Sequence, residues 1–368
     1  MEELGLGADT RDTSFHVPGF RVTVGGKELS KENADVVSLQ FKDSIKDLSA
    51  FEITLNNWDD SSDGGGARFK YSDDDKLVAL GHNVEIEMGY HDAPALVKMM
   101  VGQITAMDPQ FPAAGGPTIV VRGVDRLHYS RNAPQSEPWK GFKDSQIAEK
   151  IAVRLGMKVN AEDTKISHAH VAQHNQDDVA FLHERAKRIN YEVYVRDDVL
   201  QFVKTREGQQ PQLKFVWGKS LVSFTPSLTL ARQVSKVTVR AWHPKDGRLI
   251  EKTAERGKLS EQAGKGKNAA QVLQESLGGE KEEIITNEHV SSDEEAERLA
   301  AAVLASRSYA FITGQGQSIG LPALRAGINI ELSGLGRRFD GNYYVTDSSH
   351  RIDGGGYTTS FNVRKVYV

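Results

Sequence analysis

Few residues of this 368-residue sequence stand at spacings that chemistry requires. Trp217-Gly-Lys-Ser220 has the tail of a phosphate-binding loop, but the position five before Gly218 is Leu213 rather than glycine. Such a loop needs that glycine turn to aim backbone N–H groups at phosphate, so the segment reads as a turn at a strand end. Gly314-Gln-Gly316 lacks the third glycine and the strand–turn–helix setting of a dinucleotide fingerprint. Asp59, Ser61, Asp63 and Gly64 match the first half of a calcium loop, yet Lys70 stands where the bidentate carboxylate belongs. His168, His170 and His174 cluster as imidazoles would around a metal. No carboxylate is spaced as their further ligand, and they read as surface histidines ahead of a helix. His183-Glu184 has Lys187 where a zincin has its second histidine. No Gly-x-Ser-x-Gly elbow and no paired carboxylates stand out. These residues supply no catalytic, cofactor or metal site, and the expectation is a protein that is not an enzyme.

Composition narrows the classes further. Lys and Arg number 46 against 50 Asp and Glu, a formal charge of −4, which is no footprint for nucleic acid or an anionic membrane. With 39% hydrophobic and 26% charged residues the chain is globular rather than disordered. The absence of cysteine excludes disulfides and thiolate chemistry. The opening MEELGLGADTRDT carries acids and glycine where a secretory leader needs a basic start and an apolar stretch, so synthesis and assembly are expected in the cytoplasm, without membrane insertion.

The elements that would position any site begin with strands. Phe20-Arg-Val-Thr-Val24, Val37-Ser-Leu-Gln-Phe41, Phe51-Glu-Ile-Thr-Leu55 and Val84-Glu-Ile-Glu-Met88 alternate apolar and polar residues, the period of strands with one buried face. Glycine clusters separate them, which predicts a β-barrel or sandwich over 1–130. The period changes to helical at 145–155, with Asp144 as N-cap, and again at 176–189. A hairpin at 191–203 completes an α/β unit over 131–213. Strands return over 214–242. The charged stretch 243–290 reads as an insertion with one helix, and Ser292-Asp-Glu-Glu opens a helix running to about 309.

One internal comparison is informative. Gly81-His-Asn-Val-Glu-Ile resembles Gly327-Ile-Asn-Ile-Glu-Leu, and each is followed by a glycine-containing strand and a Gly-Gly turn at the same offset (115 − 102 = 13; 354 − 341 = 13). Final strands end at Val121-Arg122 and Val363-Arg364. This reads as a duplicated β domain whose second copy, 214–242 with 291–368, is interrupted.

The chain resembles the phage late control protein D family, the baseplate hub of contractile tails, and the hub half of the valine-glycine repeat spike protein of type VI secretion. The resemblance rests on segments spread over about 15–366. They include Gly81-His-Asn-Val-Glu-Ile-Glu-Met-Gly-Tyr90, Asp177-Asp-Val-Ala-Phe-Leu182, Ala186-Lys-Arg-Ile-Asn-Tyr-Glu-Val-Tyr194 and Gly334-Leu-Gly-Arg-Arg-Phe-Asp-Gly-Asn-Tyr-Tyr-Val345. It implies an α+β, mainly β fold with two similar tube-like barrels and a homotrimer presenting six barrels around a channel. It further implies partners: a hexameric inner tube protein, a separate trimeric spike, other baseplate proteins and effector cargo. A spike would have to come from another polypeptide, since the sequence stops seven residues after Phe361. The alternative is a tail-associated cell-wall hydrolase or carbohydrate-binding module, which would require a catalytic Glu or Asp set in a groove.

Overall fold

A computed structural model describes residues 17–29, 35–59, 68–72, 77–91, 93, 95–131, 134–243, 246–255 and 266–368. The candidate calcium loop therefore falls largely outside the described residues. Strands of four or more residues are numbered here in chain order.

The first β unit comprises β1 (Pro18–Val24), β2 (Val36–Ser44), β3 (Ala50–Asn56), β4 (Asn83–Tyr90), β5 (Val97–Gln110) and β6 (Thr118–Asp125). The expected alternation is realised in β2, where Leu39, Phe41 and Asp43 turn inward and Gln40, Lys42 and Ser44 turn outward. Leu39 and Phe41 join Val22, Ile53, Ile86 and Val121 in the core of this unit. Full burial of each such side chain contributes roughly 1.5–3 kcal/mol.

The α/β unit follows with β7 (Gln135–Trp139), α1 (Asp144–Arg154), β8 (Lys158–Ala161), β9 (Val171–Gln176), α2 (Asp178–Arg188), β10 (Tyr191–Arg196) and β11 (Val199–Lys204). Ile147, Ala148, Ile151 and Ala152 of α1 and Val179, Phe181, Leu182 and Ala186 of α2 recur at helical spacing and face one core. Asp177 caps α2 by accepting the Ala180 N–H at 2.8 Å.

The second β unit contains β12 (Leu213–Val216) and β13 (Leu221–Leu228). An interrupting segment carries β14 (Lys236–His243), β15 (Arg248–Glu255), α3 (Ala269–Leu277), β16 (Glu282–Ile285) and α4 (Asp293–Ser308). Then come β17 (Ile312–Ile319), β18 (Asn329–Ser333), β19 (Gly341–Asp353) and β20 (Gly356–Lys365).

Two sequence expectations change. Strand β14 and helix α4, assigned above to the second β unit, belong elsewhere. β14 pairs with β15 and β16 in a separate three-stranded sheet, and Ala296, Leu299, Ala300 and Leu304 of α4 close a core with Val237, Val239 and Ile250. The alternation of β14 showed a strand but could not show which sheet it joins. Two separate closed barrels are also not what the strands form. Among the described residues, both β units merge into one 13-stranded sheet that does not close on itself.

The duplication is visible in the order of strands. The first unit runs β2-β3-β6-β5-β4-β1 and the second β13-β17-β20-β19-β18-β12. Corresponding members also occur in the same chain order, so the two halves share a strand order. Backbone contacts repeat as well. Gly81 N–H donates to Ile104 at 2.9 Å and Gly327 N–H to Val345 at 2.8 Å; the return bonds, Ile104 to His82 and Val345 to Ile328, are 3.0 and 2.9 Å. One member differs in direction: β1 runs antiparallel to β4, whereas β12 runs parallel to β18.

The residue alignment needs one correction. Asn83 faces Gln103 while Asn329 faces Tyr344, and Ile104 faces Gly123 while Val345 faces Val363. Structural equivalence therefore joins Gln103 with Tyr344 and Gly123 with Val363. Gly102 is thus equivalent to Tyr343, two residues from Gly341, and Gly115 and Gly354 lie in connections of different length. The connection between β5 and β6 is a longer loop than the tight turn between β19 and β20, although both occupy the same topological place.

Candidate functional site

The two β units meet where β19 takes β2 as a neighbour. On the side of β19 opposite β20, β18 occupies Gly341–Tyr344 and β2 then occupies Asp347–Ile352, in register from Asp347–Ser44 to Ile352–Leu39. Beneath this seam, Arg325 Nε donates to Asp43 Oδ2 at 2.6 Å and an Arg325 amino group donates to the Met99 carbonyl at 3.0 Å. The guanidinium lies 5.0 Å from the centre of the Phe41 ring. His350 also stacks on Phe41, with ring centres 5.9 Å apart. Its Nε2 reaches the Leu324 carbonyl at 3.0 Å and its Nδ1 the Tyr357 hydroxyl at 2.9 Å. Complete burial, reinforced by the nearby Arg325 charge, pushes the His350 pKa down to about 3 and keeps the ring neutral.

The opposite face of the same seam is polar. Ser44 Oγ donates to Asp347 Oδ1 at 2.7 Å, and Gln40 Nε2 donates to Ser349 Oγ at 2.9 Å. Gln315, Gln317, Ser360 and Asn362 extend this surface, which borders an open groove of about 770 Å³. The period of two thus gives the continuous sheet an apolar inner face and a hydrophilic outer one, carried by neutral side chains at Gln40, Gln315, Gln317, Ser349 and Ser360 and by charged ones across the first unit, where Arg122 pairs with Glu52 and Arg21 with Glu87.

A second polar centre lies between the α/β unit and α4. His168 Nε2 contacts Asp144 Oδ2 at 2.9 Å, its Nδ1 contacts Glu295, and Arg185 Nε donates to Asp144 Oδ1 at 2.6 Å. Burial opposes a charged imidazole here, but the hydrogen bonds to Asp144 and Glu295 outweigh it and raise His168 to about 9. Glu295 is correspondingly lowered to about 2; burial works against this, while His168 and the Ser291 N–H and hydroxyl favour its charged form. A third centre holds Arg364, buried, with Nε donating to Glu207 at 2.9 Å and an amino group to Glu192 at 3.3 Å. It ties β20 to the α/β unit.

The sequence candidates distribute as follows. His168 is buried in the ionic cluster, contrary to the surface reading, while His170 and His174 are exposed and do not join it. Among the described residues no group of three or more His, Asp or Glu side chains is arranged to hold a metal. Trp217–Ser220 forms a turn between β12 and β13, with Ser220 Oγ accepting the Val216 N–H at 3.1 Å. Gly314 and Gly316 lie within β17, where an added Cβ would approach the Phe224 and Phe361 rings to 2.4 Å, so they make room for aromatic packing rather than for a nucleotide. His183 is half-buried on α2. Sequence reading missed Asp43, Arg325, His350, Glu295 and Arg364 because their partners lie far along the chain. Asp144 was expected as a cap but is an ion-pair residue inside α1.

A family model described as the Alg8 N-terminal domain matches residues 14–354. The chain belongs to that family. The sequence matches no curated protein. Among solved structures, this member of the Alg8 N-terminal domain family is similar to the 43 kDa tail protein of prophage MuSo2 from Shewanella oneidensis. That similarity has a TM-score of 0.69 and 14% identity over 95% of this chain and 98% of that one. A tail protein from Neisseria meningitidis MC58 aligns with TM-score 0.67 and 11% identity, covering 96% and 98%. A type VI secretion component from E. coli, described as structurally similar to the T4 tail proteins gp27 and gp5, aligns with TM-score 0.58 and 13% identity, covering 96% and 77%. The fold is the hub-like fold that these tail and type VI proteins share.

Proposed function

We propose that this chain is a structural hub of a contractile tail baseplate or contractile injection system. Three copies would present six β units in a ring, adapting a six-fold inner tube to a three-fold spike and lining a central channel. The observation that carries this reading is the duplication itself: one six-strand order occurs twice in one chain, with only the β1 and β12 positions differing in direction, and the two copies are joined through β19 and β2 into a continuous sheet. Two units per chain let a three-fold assembly show approximate six-fold symmetry, the condition for matching two partners of different order. The hydrophilic outer face of that sheet, with its charges paired as Arg122 with Glu52 and Arg21 with Glu87, suits a channel wall. The α/β unit and the interrupting segment, clamped together at His168 and Glu295, form the flank where other baseplate proteins would bind. The role requires no cofactor, no metal and no catalysis, and places the protein in a tail or injection particle assembled in the cytoplasm.

Native mass spectrometry with light scattering at micromolar concentration tests it. The expected result is a three-chain species. A monomer that persists when spike and tube proteins are added would refute the proposal.

A further inference from the structure

We infer that neighbouring copies of this chain join by pairing the outer half of β5 with the free edge of β13, in one defined antiparallel register. This rests on the hub reading above and specifies its chain-to-chain contact.

The inference comes from a pairing that the chain makes once but has the parts to make twice. In the second unit β19 carries β18 and then β2 along one side. Its counterpart β5 carries β4 along that side, reaching Gln103. Beyond it, Ile104–Gln110 pair on the other side with β6, and no further strand lies beside them among the described residues. The counterpart of β2 is β13, which pairs with β17 and whose other edge ends the sheet. The pairing β19–β2 is therefore satisfied inside the chain, while the equivalent surfaces β5 and β13 are both left over. They stand in different halves of the sheet, so a second copy supplies what the first lacks. Each chain offers one of each edge, which makes the contact head-to-tail and able to close into a ring.

The register follows from the ladders. Ile104, Gly123, Phe51 and Phe41 face one another in succession across the first unit, as do Val345, Val363, Gly314 and Pro226 across the second. Phe41 thus corresponds to Pro226 and Leu39 to Phe224. Both ladders slip by one residue after Ile104 and Val345, so Asp347 corresponds to Ala106 and Ile352 to Phe111. Transposing the seam pairs Ala106 with Thr229, Asp108 with Ser227 and Phe111 with Phe224.

Exposure agrees. Leu39, Phe41 and His350 are fully buried at the seam, whereas Phe111 is 61% and Leu228 36% exposed at the corresponding open edges. Met107, Phe111, Phe224 and Leu228 would share the apolar face of the joined sheet. The Ile45 N–H donates to Thr346 at 3.1 Å, which places hydrogen-bonded pairs at alternate seam positions including Phe41–His350. At the matching place between copies stand Pro226 and Pro109, neither of which has an N–H to give. Met107–Leu228 and Phe111–Phe224 are left as the hydrogen-bonded pairs. A proline on each edge also discourages indiscriminate strand addition before assembly.

The chain has no cysteine, so introduced thiols are unambiguous. Asp108 and Ser227 are both exposed and would face each other as a non-hydrogen-bonded pair, whose Cα separation of about 4.5 Å admits a disulfide. Asp108→Cys with Ser227→Cys, oxidised at micromolar concentration, should give a covalent three-chain band on a denaturing gel. Either single variant, or Asp108→Cys with Thr225→Cys, should remain single-chain or give at least tenfold less. A three-chain native mass without cross-linking at 108 and 227, or with equal cross-linking at 225, overturns this contact and leaves the hub reading standing. A single-chain native mass that persists when spike and tube proteins are added overturns both.

Discussion

Asp43 and Arg325, 282 positions apart, form a buried ion pair whose 2.6 Å bond fastens the first β unit to the turn preceding β18. Asp43 also accepts the Ala326 N–H at 3.3 Å. The carboxylate therefore organises the seam on which the continuous sheet depends.

Removing one partner leaves the other charge buried without compensation, a loss of roughly 3–5 kcal/mol. Asp43→Ala should lower the midpoint of chemical denaturation strongly. The double variant Asp43→Leu with Arg325→Met should recover part of the loss, since no charge is stranded. A double variant as unstable as the sum of both singles would show that the pair is not coupled.

Much of this fold can be read from local pattern. The alternation of β2, β3 and β4, the apolar spacing of α1 and α2, and the Ser292 cap of α4 all act within a few residues. The repeat was legible for the same reason: Gly81 and Gly327 each donate to a strand that follows shortly after, so both neighbourhoods leave a similar trace in sequence. Local pattern could not place β14 in its separate sheet, because an alternating strand fits any half-buried position. It also could not find the seam. Asp43 reads as one acid among 50 Asp and Glu residues, and His350 as a single histidine near the end. Their importance lies in partners that only the assembled sheet brings near. His168 shows the opposite failure, a conspicuous cluster in sequence that separates in space.

His168 makes stability sensitive to alkali. Its folded pKa of about 9 lies above the unfolded value of about 6.5. The folded state binds the proton more tightly, so this contribution is complete below about 6.5 and is lost as pH rises through about 9. Thermal melts from pH 6 to 10 should show a falling limb that His168→Asn flattens. An unchanged alkaline limb in the variant would refute the assignment. The α/β unit and α4 should also loosen first, seen as faster hydrogen exchange in α4 than in β19.

His350 acts with the reverse sign. Its folded pKa of about 3 lies below the unfolded value near 6.5, so the unfolded chain takes up the proton first. Stability from the neutral ring is complete above about 6.5 and declines as pH falls toward 3. Asp125, raised to about 6 chiefly by burial, works against this between about 4 and 6, because its folded form is the better proton acceptor there. Comparison of wild type with His350→Gln isolates the histidine: the variant should be less stable at pH 7, and the gap should narrow by pH 4.5. A gap that stays constant would place the effect in packing alone.

The turn between β19 and β20 separates two adjacent glycines by their backbone angles. Gly356, facing Asp353 at the close of the hairpin, has φ of +108°, a region that L side chains rarely adopt, and no atom lies within 4 Å of where its Cβ would be. Gly355 is not in that region, and its Cβ would meet only the Asp353 carboxylate, at 3.1 Å. Strain therefore belongs to Gly356, although the Gly354-Gly355 pair is what marks the turn in sequence. Gly356→Ala should cost roughly 1–2 kcal/mol purely through backbone conformation. Gly355→Ala should stay within about 0.5 kcal/mol, the usual span of a surface change. Equilibrium unfolding of the two variants in parallel decides it. Because β19 pairs with β20 through this turn, the Gly356 variant should exchange amide hydrogens faster in β19 and β20, while α1 and α2 keep their protection. Equal losses in both variants would show that the turn, rather than the angle at one residue, limits the hairpin.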